Sequence, residues 1–120
     1  MMAELKMAYQ VRSYSTGTLG RAICNARYHH WVADGSGGDE VGAGELFLSG
    51  ISACAVNMVE NIAHDDQVPL DWMDVSVESY RDPEKAPGDI TLYDAIRIHF
   101  KMWGVDDEQG QQLVETWNRR

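Results

Sequence analysis

The sequence predicts an α+β fold in which antiparallel strands are arranged around a buried central helix. Three observations predict it. Apolar and polar residues alternate with period two both before and after the middle of the chain. The middle, Leu46 to Val59, carries no charged residue, and Ala, Leu, Met and Ser outnumber β-branched residues there. A last segment from about residue 106 shows helical spacing of Leu113, Val114 and Trp117. Half-polar sheets with period two favour antiparallel pairing, and strands grouped around helices define the α+β class.

Taken in order, residues 4–14 place Leu5, Met7, Tyr9 and Val11 on one face and Glu4, Lys6, Gln10 and Arg12 on the other, the pattern of a half-buried strand. Ser15-Thr16-Gly17-Thr18 reads as a turn. Strand pattern resumes from about Leu19 to Ala33, as one strand or two short ones, so the N-terminal strands span 4–33. Asp34-Gly35-Ser36-Gly37-Gly38-Asp39-Glu40 is glycine-rich and precedes a helix, a setting that can bind phosphate. It has no Lys and carries two further carboxylates, so a flexible linker is the expectation.

The central helix is expected over 43–65, ending before Pro69, with Cys54 buried at its middle. Its apolar residues lie on every side, as in a helix surrounded by protein. The uncharged run is too short to span a bilayer, which takes about 20 apolar residues. Strands follow over 71–103: Met73, Val75 and Val77 oppose Asp74, Ser76 and Glu78, then Ile90, Leu92, Ile96, Ile98, Phe100 and Met102 form one face, with a bend or bulge at Asp94. Between them Arg81-Asp82-Pro83-Glu84-Lys85-Ala86-Pro87-Gly88 is turn-rich. A C-terminal helix is expected over 106–120, with Asp106 as N-cap and Gln109 completing a capping box.

A chain of 120 residues is one domain's length, and a net charge of −9 argues against nucleic acid or an anionic membrane as partner. The N-terminal residues Met1 to Lys6 contain no apolar core, so no signal peptide is expected and a cytoplasmic, reducing location is. Cys24 and Cys54 are then expected as free thiols. Their separation matches neither a redox CxxC pair nor a zinc motif. His29 and His30, adjacent on a strand, point to opposite faces and do not readily chelate one ion. No metal or cofactor is expected. A helix apolar all round needs more cover than one small sheet gives, which predicts a homodimer.

The stretch Arg27-Tyr28-His29, then Asp34, Gly37-Gly38, and Gly42-Ala43-Gly44-Glu45-Leu46-Phe47-Leu48 running to Ala53-Cys54 resembles the OsmC/Ohr family. The resemblance implies an intertwined α+β homodimer with the cysteine helix at its centre. Active members reduce organic hydroperoxides with a cysteine pair assisted by an Arg and a Glu. Carried over, Cys54 matches the peroxidatic cysteine. The family's Glu lies ten residues earlier, where this chain has Gly44; Glu45 is the neighbouring carboxylate. Arg21 is the nearest candidate for the Arg, although Thr18 and Leu19 fall closer to the expected place.

The family's second, resolving cysteine belongs near the last helix, but no cysteine follows Cys54. Either this member lacks it or the sequence ends short of the full domain. Cys24 reads as a buried strand residue, with resolver as the alternative. The resemblance therefore implies thiol-dependent reduction of organic hydroperoxides by Cys54, with Arg21 and Glu45 assisting and an external thiol as reductant. The alternative is a non-catalytic homodimer of the same fold binding a small apolar ligand beside an inert Cys54.

Overall fold

The structure is a computed structural model and describes residues 3–86 and 93–119. Five strands and two helices follow in the order β1 (Arg12–Ser15), β2 (Arg21–Ala26), β3 (His29–Asp34), α1 (Ala43–Asp65), β4 (Trp72–Tyr80), β5 (Ala95–Trp103), α2 (Asp107–Asn118). The chain divides into two units, residues 1–46 and 47–120.

The first unit is an antiparallel sheet of order β1-β2-β3. The break in the strand pattern of residues 19–33 falls at Arg27-Tyr28, between the paired ends Ala26 and His29. Arg27 takes the turn with φ 56°, a left-handed conformation usually left to Gly or Asn, so the turn carries no ordinary sequence signature. β1 is shorter than the alternation predicts. It pairs with β2 only from Arg12↔Asn25 to Ser15↔Ala22, and β2 ends one residue beyond Asn25. Among the described residues, 3–11 pair with no strand and form no regular element. Their apolar face stays bare: Leu5, Met7, Tyr9 and Val11 are 61–96% exposed.

The second unit begins inside α1. That helix ends in a Schellman motif: Gln67 adopts φ 57°, its N–H donates to the His64 carbonyl at 3.3 Å, and the Val68 N–H donates to the Ala63 carbonyl at 2.8 Å. Pro69 follows at once, where the helix has already stopped. β4 and β5 pair in one register from Trp72↔Trp103 to Tyr80↔Ala95. The expected residues Ile90 and Leu92 lie outside the described residues, and β5 starts after a bend at Asp94. The Asp94 carboxylate accepts the Asp82 N–H at 2.7 Å and pairs with Lys85 at 2.6 Å, which draws its pKa below the ordinary value. Gly104, at φ 92°, turns the chain out of β5 where any Cβ would strike the Pro69 carbonyl and Asp71.

The capping box of α2 forms as its sequence predicts: the Asp106 carboxylate accepts the Gln109 N–H at 2.8 Å and the Gln109 side chain accepts the Asp106 N–H at 3.0 Å. Its Leu113 meets Val59, Ile62 and Ala63 of α1 and Met73 of β4 in a buried cluster, flanked by Val75, Phe100, Met102 and Trp117. Phe100 and Trp117 meet edge to face at 5.7 Å.

The expectation of a helix buried all round is corrected here. In the single chain α1 buries one stripe, Ala55, Val59, Ile62 and Ala63, while Cys54 is exposed. Among the described residues of the second unit, Met73 of β4, Leu113 of α2 and the partly buried Val68, Leu70, Val75, Phe100, Met102 and Trp117 pack against this stripe. At 23 residues, α1 is also long and apolar enough to cross a bilayer by length and composition. In this chain its C-terminal half is instead packed in a protein core.

Two substitutions test this packing. Leu113→Ala should lower unfolding free energy by about 2–5 kcal/mol, because it empties the centre of the buried cluster. Gly110→Ala should raise it by about 0.5–1 kcal/mol, since the added Cβ meets Met102 and Val105 at ordinary contact distances of 3.6 and 3.9 Å. Urea unfolding curves of the two variants against wild type measure both.

Candidate functional site

Cys54 sits at the middle of α1, and its thiol is presented to solvent. Its sulfur lies 3.4 Å from that of Met58, one helical turn further on. Cys24 is the opposite case. It lies in β2, the central strand, opposite Ser13 on one side and Trp31 on the other, and is 7% exposed. Both cysteines are free thiols.

Glu45 stands in the first turn of α1, where its Oε1 accepts the Gly42 N–H at 2.9 Å. A carboxylate three residues into a helix, reaching back to an orphan N–H, is half of a capping box. Arg21 has a different carboxylate. Its Nη2 donates to Asp34 Oδ2 at 2.8 Å, across the β2–β3 pair in which Arg21 and Asp34 stand opposite each other. Within the first unit, Arg21 and Glu45 are therefore each engaged with a separate partner.

Asp34, which the sequence offered only as part of the family pattern, has a role in the structure that sequence reasoning did not give it. It is buried at 3% exposure, with its carboxylate wholly covered. It accepts the Ser36 N–H at 2.9 Å, the Ser36 hydroxyl and the Arg21 guanidinium. Its pKa is held down to about 2, first by the Ser36 hydroxyl and next by Arg21; the same pair raises that of Arg21. The chain closes around this carboxylate: the Asp34 N–H donates to the Val41 carbonyl at 2.9 Å, and the Gly35 N–H to the Gly20 carbonyl at 2.8 Å. The glycine-rich stretch is thus a folded loop and not a free linker. Gly38 is required, because a Cβ there would overlap Asp34 Oδ2 and come within 3.4 Å of Arg21 Nη2. The usable sequence signal was Asp-x-Ser, in which the acid accepts the N–H two residues on.

The Arg21 side chain keeps 41% exposure and borders a groove of about 680 Å³ with Tyr14, Leu19 and Gly20. A second groove, of about 560 Å³, runs along α2 over Phe100, Met102 and Val114. Cys54 lines neither. On β3, His30 Nδ1 meets the Asn25 side chain across the strand pair, while His29 stands opposite Ala26. Among the described residues no group of three or more His, Cys, Asp or Glu is placed to hold a metal ion.

Two helices, antiparallel sheets and an exposed helical thiol define a small α+β protein with a candidate thiol centre. The family model for OsmC-like proteins matches residues 35–120, and the chain belongs to that family. The match contains Glu45 and Cys54 and begins just after Asp34. The fold is that of solved OsmC and Ohr structures. An OsmC-like protein from Mycoplasma pneumoniae aligns with TM-score 0.82 at 12% identity, over 97% of this chain and 84% of that one. An organic hydroperoxide resistance protein OsmC from Legionella pneumophila aligns at 0.65 and 17%, over 93% and 82%. The organic hydroperoxide resistance protein OhrB of Bacillus subtilis aligns at 0.57 and 16%, over 91% and 82%. No curated protein matches the chain in sequence.

The depressed pKa of Asp34 sets an acid limit. A carboxylate whose folded pKa lies below its unfolded value contributes stability above the unfolded pKa and loses it as pH falls through the folded one. That window runs from the ordinary aspartate value of 3.8 down to about 2. Thermal melts from pH 5 to pH 2 should show wild type losing stability across it, and Asp34→Asn, already less stable at pH 5, losing less.

Proposed function

We propose that this chain reduces organic hydroperoxides with Cys54 as the nucleophile, as a peroxide-stress protein. The observation that carries the reading is the contrast between the two thiols: the one at the family's cysteine position is exposed, while the other is buried. Two structural neighbours are named as organic hydroperoxide resistance proteins, which supports the same reading.

The thiolate is the reactive form. Its sulfur attacks the terminal peroxide oxygen; an S–O bond forms, the O–O bond breaks, and the alkoxide leaves and takes a proton to become an alcohol. Cys54 is oxidised by two electrons to the sulfenic acid. An external thiol then condenses with it, releasing water and giving a mixed disulfide, and a second thiol returns Cys54. The cation that favours the thiolate is assigned to Arg21. Glu45 keeps its place in the reading as the carboxylate at the start of the cysteine helix.

The working unit is proposed to be a homodimer. The exposed apolar row Leu5, Met7, Tyr9, Val11 has strand periodicity and pairs with no strand among the described residues, and a partner's sheet edge would supply one. Light scattering should give the mass of two chains at micromolar concentration, and removal of residues 1–11 should shift it toward one. A monomeric full chain would sink the dimer.

A second reading is favoured by Gly44, which stands where active family members carry the assisting Glu. On that reading the chain is a non-catalytic homodimer binding a small apolar ligand. Intact mass and peptide mapping after one equivalent of cumene hydroperoxide separate the two, with Cys54→Ser as control. Rapid gain of one oxygen at Cys54 is the expected result. A folded protein whose Cys54 is unmodified after an hour is a binding protein.

A further inference from the structure

We infer that Asp34 is the positioning carboxylate of Arg21, taking the place left by Gly44. The inference rests on the hydroperoxide-reductase reading above, and it concerns which residue orients the assisting cation. A guanidinium on a flexible stem loses little freedom on binding only if it is already held. A carboxylate is the group that holds it, by a directed charge-assisted hydrogen bond. Four carboxylates stand close to this problem in the sequence, Asp34, Asp39, Glu40 and Glu45, and among the described residues Asp34 alone is hydrogen-bonded to Arg21. Glu45 is engaged with the Gly42 N–H at the helix start. Glu40 acts on Arg21 only as a minor charge. Asp34 makes the direct 2.8 Å contact.

The arrangement around Asp34 is that of a built clamp. Its carboxyl is completely covered, so the contact is not a solvated surface pair. Ser36 supplies two donors that fix Oδ1, which leaves Oδ2 for the guanidinium. Register places the two residues opposite each other at the end of the β2–β3 ladder, so the strands set their separation. Gly38 clears the space in which they meet. Arg21 is thereby held by one nitrogen. Among the described residues its side chain has no other hydrogen-bond partner, and its exposed part borders the Tyr14–Leu19 groove. It is anchored on one side and has donors to spare on the other.

The test combines rates with a direct view of the guanidinium. The rate of Cys54 oxidation by cumene hydroperoxide is measured by stopped flow from pH 5 to 9 in wild type, Arg21→Ala, Asp34→Asn, Ser36→Ala, Glu45→Gln and the Arg21→Ala/Asp34→Asn double variant. The Arg21 side-chain NH signals are followed by 15N NMR. Asp34→Asn should slow oxidation about 10- to 100-fold, to the level of Arg21→Ala. The double variant should be no slower than either single one, and Ser36→Ala should fall between. In wild type the Arg21 NH signals should be sharp and separate, and in Asp34→Asn they should merge.

A folded Asp34→Asn that keeps the wild-type rate while Arg21→Ala is slow overturns the inference. So does a double variant whose losses multiply, or a larger loss in Glu45→Gln than in Asp34→Asn. If Asp34→Asn does not fold, Ser36→Ala decides: an unchanged rate with unchanged Arg21 signals also overturns it. If wild-type Cys54 is not oxidised at all, the reductase reading falls. The positioning role falls with it, and merged signals in Asp34→Asn would then mark a structural ion pair only.

Discussion

The constraint on which most of this chain depends is the need to cover a long apolar helix. From Leu46 to Val59 α1 carries no charge, and it runs 23 residues in all. Among the described residues of the second unit, side chains of β4, β5, α2 and of the link residues Val68 and Leu70 reach the stripe Val59, Ile62, Ala63. Phe47, near the helix start, stacks on Tyr93 at 5.6 Å yet stays 56% exposed. Apolar surface left in water is unfavourable in proportion to its area. Large apolar residues also stay exposed at Leu5, Met7, Tyr9 and Leu19. Contiguous apolar surface left bare commonly marks a surface of association.

A second constraint, local but strict, is the buried charge of Asp34. Removing a carboxylate from water is costly unless cations and donors replace the lost hydration. Here a cross-strand Arg and both donors of Ser36 replace it, and a glycine makes room. The loop before α1 takes its shape from these bonds. One requirement thus connects strand register, loop conformation and the composition of the Gly-Gly stretch, which on composition alone looks merely flexible.

Where local chemistry decides, the sequence was legible. The capping box at Asp106 and Gln109, the alternation of β4 and the limits of α1 each depend on neighbours a few residues away. Where a distant partner decides, it was not. Leu5 to Val11 has strand periodicity, but whether a strand forms depends on an edge to pair with, and β2 is too short to offer one. The turn at Arg27-Tyr28 was hidden because a residue without turn preference takes the left-handed conformation. For the candidate site, Cys54 and Arg21 were picked by resemblance to the family's pattern, and the pairing of Arg21 with Asp34 was not legible. The acid expected beside it lay near the helix, and the acid in contact with it lies across a strand pair.

The two cysteines show how far environment outweighs residue type. Cys24 is a thiol in the central strand of a sheet, bonded through β2 to a strand on each side. At 7% exposure it is packed as a small apolar residue. Cys54 stands on a helix whose backbone bonds are internal, so its side chain is presented without cost to the ladder that holds it.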